Sequence, residues 1–436
     1  MPLAEALAER AAAGTPVRVG LVGTGQMGTD LMVAIAAMPG IEIVVAADMT
    51  PERIATAAGI AGAACRTPEI VTSLADVSRT IGRGRLASVQ KPDLVFAAPE
   101  VDVVIDATGN PSAGAAVALG AIAARKHIVM MNVEADVTAG AYLASEAEKA
   151  GVIYSLGAGD EPTAALELIN FVRALGYPVV AAGKGKNNPF RIDATPDAYR
   201  EEARRRNMNP RMLVEFVDGS KTMVEMAAIA NAAGLVPDIP GMHGPAAPRE
   251  ALQTTFCPKE DGGLLSRRGC VDFTVAKGVA PGVFAVAEMR HPRVRERMAD
   301  LHLGPGPYYA FFRPYHLTSL EVPLTAAAVV IHGECHMRPR PIPSAEVGCV
   351  AKRDLTPGET LDKIGEYSYR AFTLTREDAE SRAALPVGLA EGAKVTRRIA
   401  KGELLTYAAV APDETRPIAI ARRRQDAMVA GLLATR

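Results

Sequence analysis

Short aliphatic runs recur through the first third of the chain, separated by Ala-rich stretches with helical spacing. The runs VRVGLVG (17–23), IEIVVAA (41–47), VDVVIDAT (101–108), HIVMMN (127–132) and GVIYSLG (151–157) are apolar at nearly every position. A strand that is apolar on both faces is buried on both, which predicts a parallel sheet flanked by helices, a doubly wound α/β domain over residues 1–156. Between the second and third runs, a GRGR turn (82–85) and a helix expected around 92–98 read as an insertion on the sheet edge. Leu3 and Leu7, one helical turn apart, predict a short docking helix ahead of the first strand.

The texture changes after residue 157. LELINFVRAL (166–175) and KTMVEMAAIANAAG (221–234) have helical spacing, VVAAGKG (179–185) is strand-like and leads into a basic loop, and LVPDIPGMHGPAAP (235–248) reads as one long loop. A second, α+β domain is expected over 157–338, its last helices able to pack back on the first. From residue 339 the chain is Pro-rich and then short-stranded. AKRDLTPGETL and RRIAKGELL each place a Gly-Glu turn before a strand, which predicts a small all-β domain over 339–436.

At 436 residues, two or three domains are expected at roughly 150 residues each. The net charge of −1 excludes the broad basic field that nucleic acid or an anionic membrane would require, so any anion site must be local. Aromatics are 5% with no Trp, which leaves no stacking platform for single strands. The basic runs 204–206 and 422–424 lack interleaved aromatics and read as solvated helix faces. No apolar run approaches the ~18 residues of a membrane span, and Glu5 and Glu9 interrupt what would be a signal-peptide core. Five unpaired-looking Cys fit a reducing compartment, so a soluble cytoplasmic protein is expected. His332, Cys335 and His336 lack the second pair of ligands that a structural zinc site needs.

Gly23-Thr-Gly25-Gln26-Met27-Gly28 follows a predicted strand and opens a predicted helix. In that context Gly23 permits the tight turn, Gly25 the approach of backbone to a pyrophosphate, and Gly28 close helix–strand packing, with the phosphates at a helix N-terminus. Asp48 ends the second strand, where a carboxylate can accept from ribose hydroxyls. It favours NAD, while Arg53 one turn on can offset a 2′-phosphate, so NAD and NADP both stand. Thr108, Gly109, Asn132 and Glu134 lie at the C-terminal ends of later strands, either in contact with the nicotinamide half or as ordinary turn residues.

The phrases VMMNVEADV (129–137), GAGDEP (157–162), GKGKNNP (183–189), DGSKTMVEMAAIANAAGL (218–235) and FRPYHL (312–317), together with the Rossmann half, resemble the homoserine dehydrogenase superfamily. They are closest to its branch with a C-terminal antifreeze-like β-clip (SAF) domain, which includes 1-deoxyxylulose 5-phosphate reductoisomerase-like enzymes. The resemblance implies a Rossmann domain, an α+β catalytic and oligomerisation domain, a small C-terminal β-clip, and a homo-oligomer, dimer or tetramer. The departures matter as well. Homoserine dehydrogenases have a Lys after the Asn where this chain reads Asn132-Val133-Glu134. Their substrate-binding Asp and proton-transfer Lys align with Lys221 and Glu225, charges exchanged, so an ammonium-bearing substrate is disfavoured.

Lys184, Lys186 and Lys221 instead suggest a pocket for a phosphate or carboxylate. Lys221 and Glu225, four apart on one helix face, form either a surface ion pair or an electrophile and base at a closed site. Asp160 and Glu161 precede Pro162 and a helix, as divalent-metal ligands or as helix-start partners. His316 can donate to a substrate oxygen. The expected function is hydride transfer between NAD or NADP and a small anionic hydroxy or keto substrate. The alternatives are a reductoisomerase-like activity aided by a divalent ion, and a non-catalytic dinucleotide or sugar-acid sensor.

Overall fold

The computed structural model describes residues 1–435, which divide into two compact units. The first contains residues 1–160, 317–341 and the described residues from 416 onward. It is built on a seven-stranded parallel sheet of β1 (Val17–Val22), β2 (Ile41–Ala47), β3 (Pro68–Ile70), β4 (Leu86–Val89), β5 (Val103–Asp106), β6 (His127–Met130) and β7 (Tyr154–Leu156). The order is β3-β4-β2-β1-β5-β6-β7, so the winding reverses between β1 and β5, the switch point where open α/β sheets bind ligands.

The segment between β2 and β5, expected as an edge insertion, is largely integral to the sheet. LASV is β4 and pairs directly with β2; only Pro68–Ile70 is added outside it. The Leu3–Ala13 helix forms as expected, and Leu7 enters a core with Val17, Val19 and Ile41 from the sheet and Val322 and Ala326 from the Val322–His332 helix.

The last helix, Pro417–Ala434, groups with this first unit and not with the β segment that precedes it. The buried Gln425 explains the attachment. Its Oε1 accepts from Tyr142 N at 3.1 Å and its Nε2 donates to Thr138 O at 3.2 Å, both in the Val133–Ala150 helix.

The second unit contains residues 161–316 and 342–415. Its mixed five-stranded sheet runs β12-β11-β8-β10-β9, with β8 (Val179–Gly185), β9 (Val236–Pro237), β10 (Cys270–Thr274), β11 (Val283–Glu288) and β12 (Tyr308–Arg313). The Glu161–Ala174 and Ser220–Ala233 helices pack on this sheet. Phe256, Leu252 and Leu265, from the segment after the Pro/Gly loop, build a second core with Phe284 and Val286.

The β segment of this unit pairs β13 (Ala345–Ala351) with β14 (Tyr369–Thr375), antiparallel. Its two expected Gly-Glu turns share one device. Glu359 accepts from Thr356 N at 2.6 Å and Glu403 from Ala400 N at 2.7 Å, each carboxylate closing its own turn three residues back. Among the described residues all five Cys are free, and no helix is long and apolar enough to cross a membrane.

Candidate active site

In the first unit the chain leaves β1 and turns at Gly23, with φ of 94°, before the Gln26–Ala36 helix begins. A Cβ on Gly28 would lie 2.0 Å from Gly23 O, an approach only glycine permits, whereas nothing lies within 4 Å of the Cβ position of Gly25. That open side, with Gln26 and Met27 in the first helical turn, is the space a pyrophosphate needs.

Asp48 follows β2. Its Oδ2 accepts from Thr24 N and Thr24 Oγ1, both at 2.9 Å, and its Oδ1 from Thr50 N at 3.0 Å. A carboxylate has about four lone-pair positions, so one remains for a ribose hydroxyl. Arg53 is exposed on the Glu52–Ala61 helix. The residues present thus fit a nicotinamide dinucleotide.

Thr108 and Gly109 lie just past β5. Asn110 Oδ1 caps the next helix through Ser112 N and Ala113 N, each at 3.0 Å. Asn132 caps the Val133–Ala150 helix through Ala135 N at 3.0 Å, and its Nδ2 donates to Asn110 O at 2.8 Å. The two caps therefore tie the loops after β5 and β6 together, with Glu134 half-buried in the first turn beyond.

Sequence reading missed Asp106, which is fully buried at the end of β5. Its Oδ1 accepts from Thr108 N at 3.1 Å while its Oδ2 has no partner, and burial pushes its carboxyl up to about 6. An acid closing the aliphatic run VVID was the available signal.

In the second unit β8 runs through Gly185, so Lys184 lies in the strand expected over 179–185, just ahead of the basic loop. A Cβ on Gly183 would stand 1.6 Å from Asp272 O on β10, which explains the glycine beside the lysine. Lys184 is 6% exposed. Its Nζ donates to Glu161 Oε1 at 2.6 Å and also to Glu225 Oε2. Burial alone would depress its pKa, but the charges of Glu161 and Glu225 outweigh it and hold the ammonium above the usual lysine range. His316 Nε2 lies 3.4 Å from the same Glu161 oxygen.

Lys184, Glu225 and His316 thus meet around Glu161, a residue for which the sequence offers a metal-ligand or helix-start role. Glu161 begins the Glu161–Ala174 helix, and Asp160 is the residue before it. Lys221 opens the Ser220–Ala233 helix, half-buried, in the same segment as Glu225.

Lys186 has a different setting. Its Nζ donates to two backbone carbonyls, Asn188 O at 3.1 Å and Phe216 O, and burial, with Lys184 nearby, pushes its ammonium down to about 8. His243 is structural. Its ring contacts Asp238 at 2.8 Å and its backbone N–H donates to the buried Asp272, which also accepts from Gly244 N and Phe273 N. His332, Cys335 and His336 do not converge; His336 Nδ1 contacts Thr325 Oγ1 at 2.9 Å and Cys335 Sγ contacts Tyr154 O at 3.3 Å.

Two family models match consecutive parts of the chain. Residues 23–156 match "Homoserine dehydrogenase, NAD binding domain" and residues 159–322 match "Oxidoreductase DRL, catalytic domain". A search of curated proteins gives no match. Among solved structures, similarity extends to a probable dehydrogenase from Thermotoga maritima, at 13% identity over 73% of this chain and 90% of that one, with a TM-score of 0.37. A DOX-P reductoisomerase in complex with magnesium is 13% identical over 74% and 70% of the two chains, with a TM-score of 0.41. For an NAD binding oxidoreductase from Klebsiella pneumoniae the values are 22% identity and a TM-score of 0.29, and the match spans only 45% of that protein and 41% of this one. The chain therefore matches in succession an NAD-binding domain of the homoserine dehydrogenase type and an oxidoreductase catalytic domain, which together support an NAD(P)-dependent oxidoreductase.

Proposed function

We propose that the protein moves a hydride between the nicotinamide and a small hydroxy or keto substrate that carries a phosphate or carboxylate, with Lys184 as its acid–base residue. The observation that carries this reading is the burial of Lys184 between Glu161 and Glu225 within the region that matches an oxidoreductase catalytic domain. The bound nicotinamide supplies or takes the hydride, and Gly23, Gly25, Gly28 and Asp48 would hold its dinucleotide.

The remaining steps fall to the chain. A carbonyl oxygen that gains electron density needs a fixed positive donor and then a proton. Lys184 Nζ remains cationic through neutral pH, so it stabilises the developing alkoxide and hands over a proton; in the reverse direction the ammonium first passes a proton out through Glu161 and His316 and then, as the amine, takes one from the substrate hydroxyl. Glu225, 1% exposed, keeps the ammonium in place, while Glu161 and His316 offer a path by which the proton is restored from water.

Glu161, with Asp160 and His316, offers ligand atoms within 4.8 Å of one another, but the Lys184 ammonium already paired with Glu161 opposes a divalent ion there, so no step is assigned to a metal. This ranks plain dehydrogenation ahead of the reductoisomerase-like alternative that the resemblance ties to a divalent ion. A buried ion-paired lysine also has more use in turnover than in a sensor. The resemblance further implies a homo-oligomer, and the free cysteines suit a cytoplasmic setting.

The test is loss of reduced-nicotinamide absorbance against a panel of phosphorylated and carboxylated keto compounds, beside fluorescence titration of NADH and NADPH. Lys184→Met should lower kcat by about 10²–10⁴-fold with cofactor affinity retained. Turnover that survives this change intact would remove Lys184 from the mechanism, and cofactor binding without turnover across the panel would favour the sensor.

A further inference from the structure

Three cations from separate parts of the second unit approach the short turn 216–220 between two helices. Lys186, just past β8, reaches Phe216 O. Lys352, just past β13 and 6% exposed, donates to Asp218 Oδ2 at 3.1 Å and to Glu366 O at 2.7 Å. Arg370, on β14, precedes Ala371, whose N–H donates to Ser220 Oγ at 3.0 Å. One fully buried carboxylate, Asp218, serves all three. It pairs with Lys352 and acts through space on both Lys186 and Arg370.

The other charges nearby are already committed. Glu225, which also acts on Lys186, pairs with Lys184, and Asp193, which also acts on Arg370, pairs with Lys401 at 3.1 Å.

Arg370 is the least satisfied of the three. Its guanidinium is half-buried, packs 5.2 Å from the Phe372 ring centroid and makes one long contact from Nη1 to Ala371 O at 3.4 Å. Among the described residues no carboxylate stands within ion-pair distance of it. A guanidinium has five donors in a planar fork suited to two oxygens of one oxyanion. Removing such a group from water without a counter-ion costs several kcal/mol. Burial lowers the pKa of both Arg370 and Lys186, the direction expected of cations short of negative charge.

We infer that Arg370 and Lys186 form the seat of a phosphate monoester on the substrate, so that the β segment 342–415 takes part in substrate recognition. The fork of Arg370 and the ammonium of Lys186 together offer donors for three oxygens, which a phosphate presents and a carboxylate does not. The inference deepens the proposed function and takes its meaning as a substrate site from that reading, but binding of the anion can be measured without turnover.

The full-length protein is titrated calorimetrically with inorganic phosphate and, separately, with acetate. Saturable phosphate binding is expected, roughly tenfold or more tighter than acetate, and weakened roughly tenfold or more in Arg370→Gln with NADH binding unchanged. Arg370→Lys, which keeps the charge and loses the fork, should be intermediate and guards against a folding artefact. Absence of saturable phosphate binding to the wild type, or equal binding by Arg370→Gln, overturns the inference. If a phosphorylated substrate is turned over and Arg370→Gln leaves its KM unchanged, the seat is wrong and the oxidoreductase reading stands. If phosphate binds through Arg370 and no phosphorylated substrate reacts, the seat stands and the proposed activity falls.

Discussion

A lysine ammonium with a carboxylate on either side differs chemically from a lysine in water, and only tertiary structure makes that difference. The Gly-Lys-Gly-Lys spacing marks Lys184 and Lys186 as notable, yet the partners of Lys184 lie 23 and 41 positions away, beyond local pattern. The i, i+4 rule instead directed attention to Lys221 beside Glu225. The same limit hid the acids beneath the cofactor loops. Asp136 is buried in the Val133–Ala150 helix, where its Oδ1 accepts from Tyr154 OH at 2.8 Å, its Oδ2 has no partner, and burial pushes it up to about 7. Asp106, raised to about 6, and Cys335 lie within electrostatic range of the same tyrosine. Both aspartates titrate near 3.9 in an unfolded chain. Their native values are raised, so their contribution to stability is full below the unfolded value and is lost as pH rises through about 7. Asp136→Asn, which keeps an acceptor for Tyr154, should therefore stabilise the protein by about 1–3 kcal/mol near pH 8.5 and leave it unchanged or weaker near pH 5. Thermal denaturation of both proteins at the two pH values is the check; parallel pH profiles would show that Asp136 does not titrate in this range.

Elements with their own strong pattern were legible, and those defined by a neighbour were not. VVAAGKG forms β8 over residues 179–185, and the helix ending before Gly234 starts one residue earlier than the sequence run. β3 and β4, three and four residues long, lack the length for periodicity and are strands because β2 offers an open edge. β8 is also the element on which the candidate site depends most, since β10 approaches it so closely at Gly183 that a methyl group would meet backbone. Gly183→Ala should cost about 1–3 kcal/mol or more by forcing β8 and β10 apart. NADH binding, which belongs to the other unit, should be retained. Gly59→Ala, in the Glu52–Ala61 helix with nothing within 4 Å of the new atom, is the matched control and should stabilise by roughly 0.5–1 kcal/mol. Urea denaturation of the two variants separates these outcomes, and equal midpoints would mean that β8 tolerates the displacement.

On the scale of the whole molecule the chain passes between the two units four times, and its final segment returns to the unit in which it began. The terminal β region suggested that everything from residue 339 forms one domain. The helix Pro417–Ala434 escapes that rule because a single amide, Gln425, bonds to Thr138 O and Tyr142 N, one turn apart on the Val133–Ala150 helix. Arg424 adds a hydrogen bond of 2.8 Å to Tyr142 OH. No local pattern announces such a contact, since its partners are 283 and 287 residues apart in the chain. The Val133–Ala150 helix begins at the Asn132 cap, which holds the loops after β5 and β6, so the last helix steadies one side of the expected nicotinamide site from far along the sequence. Gln425→Ala removes both hydrogen bonds and leaves a cavity against the Val133–Ala150 helix, and should cost about 1–3 kcal/mol. Hydrogen exchange should locate that loss, with amides of the Val133–Ala150 helix exchanging faster and those of β8, β10 and β11 unchanged, together with weaker NADH binding. If protection falls equally in both units, or the NADH affinity of Gln425→Ala equals that of the wild type, the last helix is a general stabiliser and not a support for the cofactor loops.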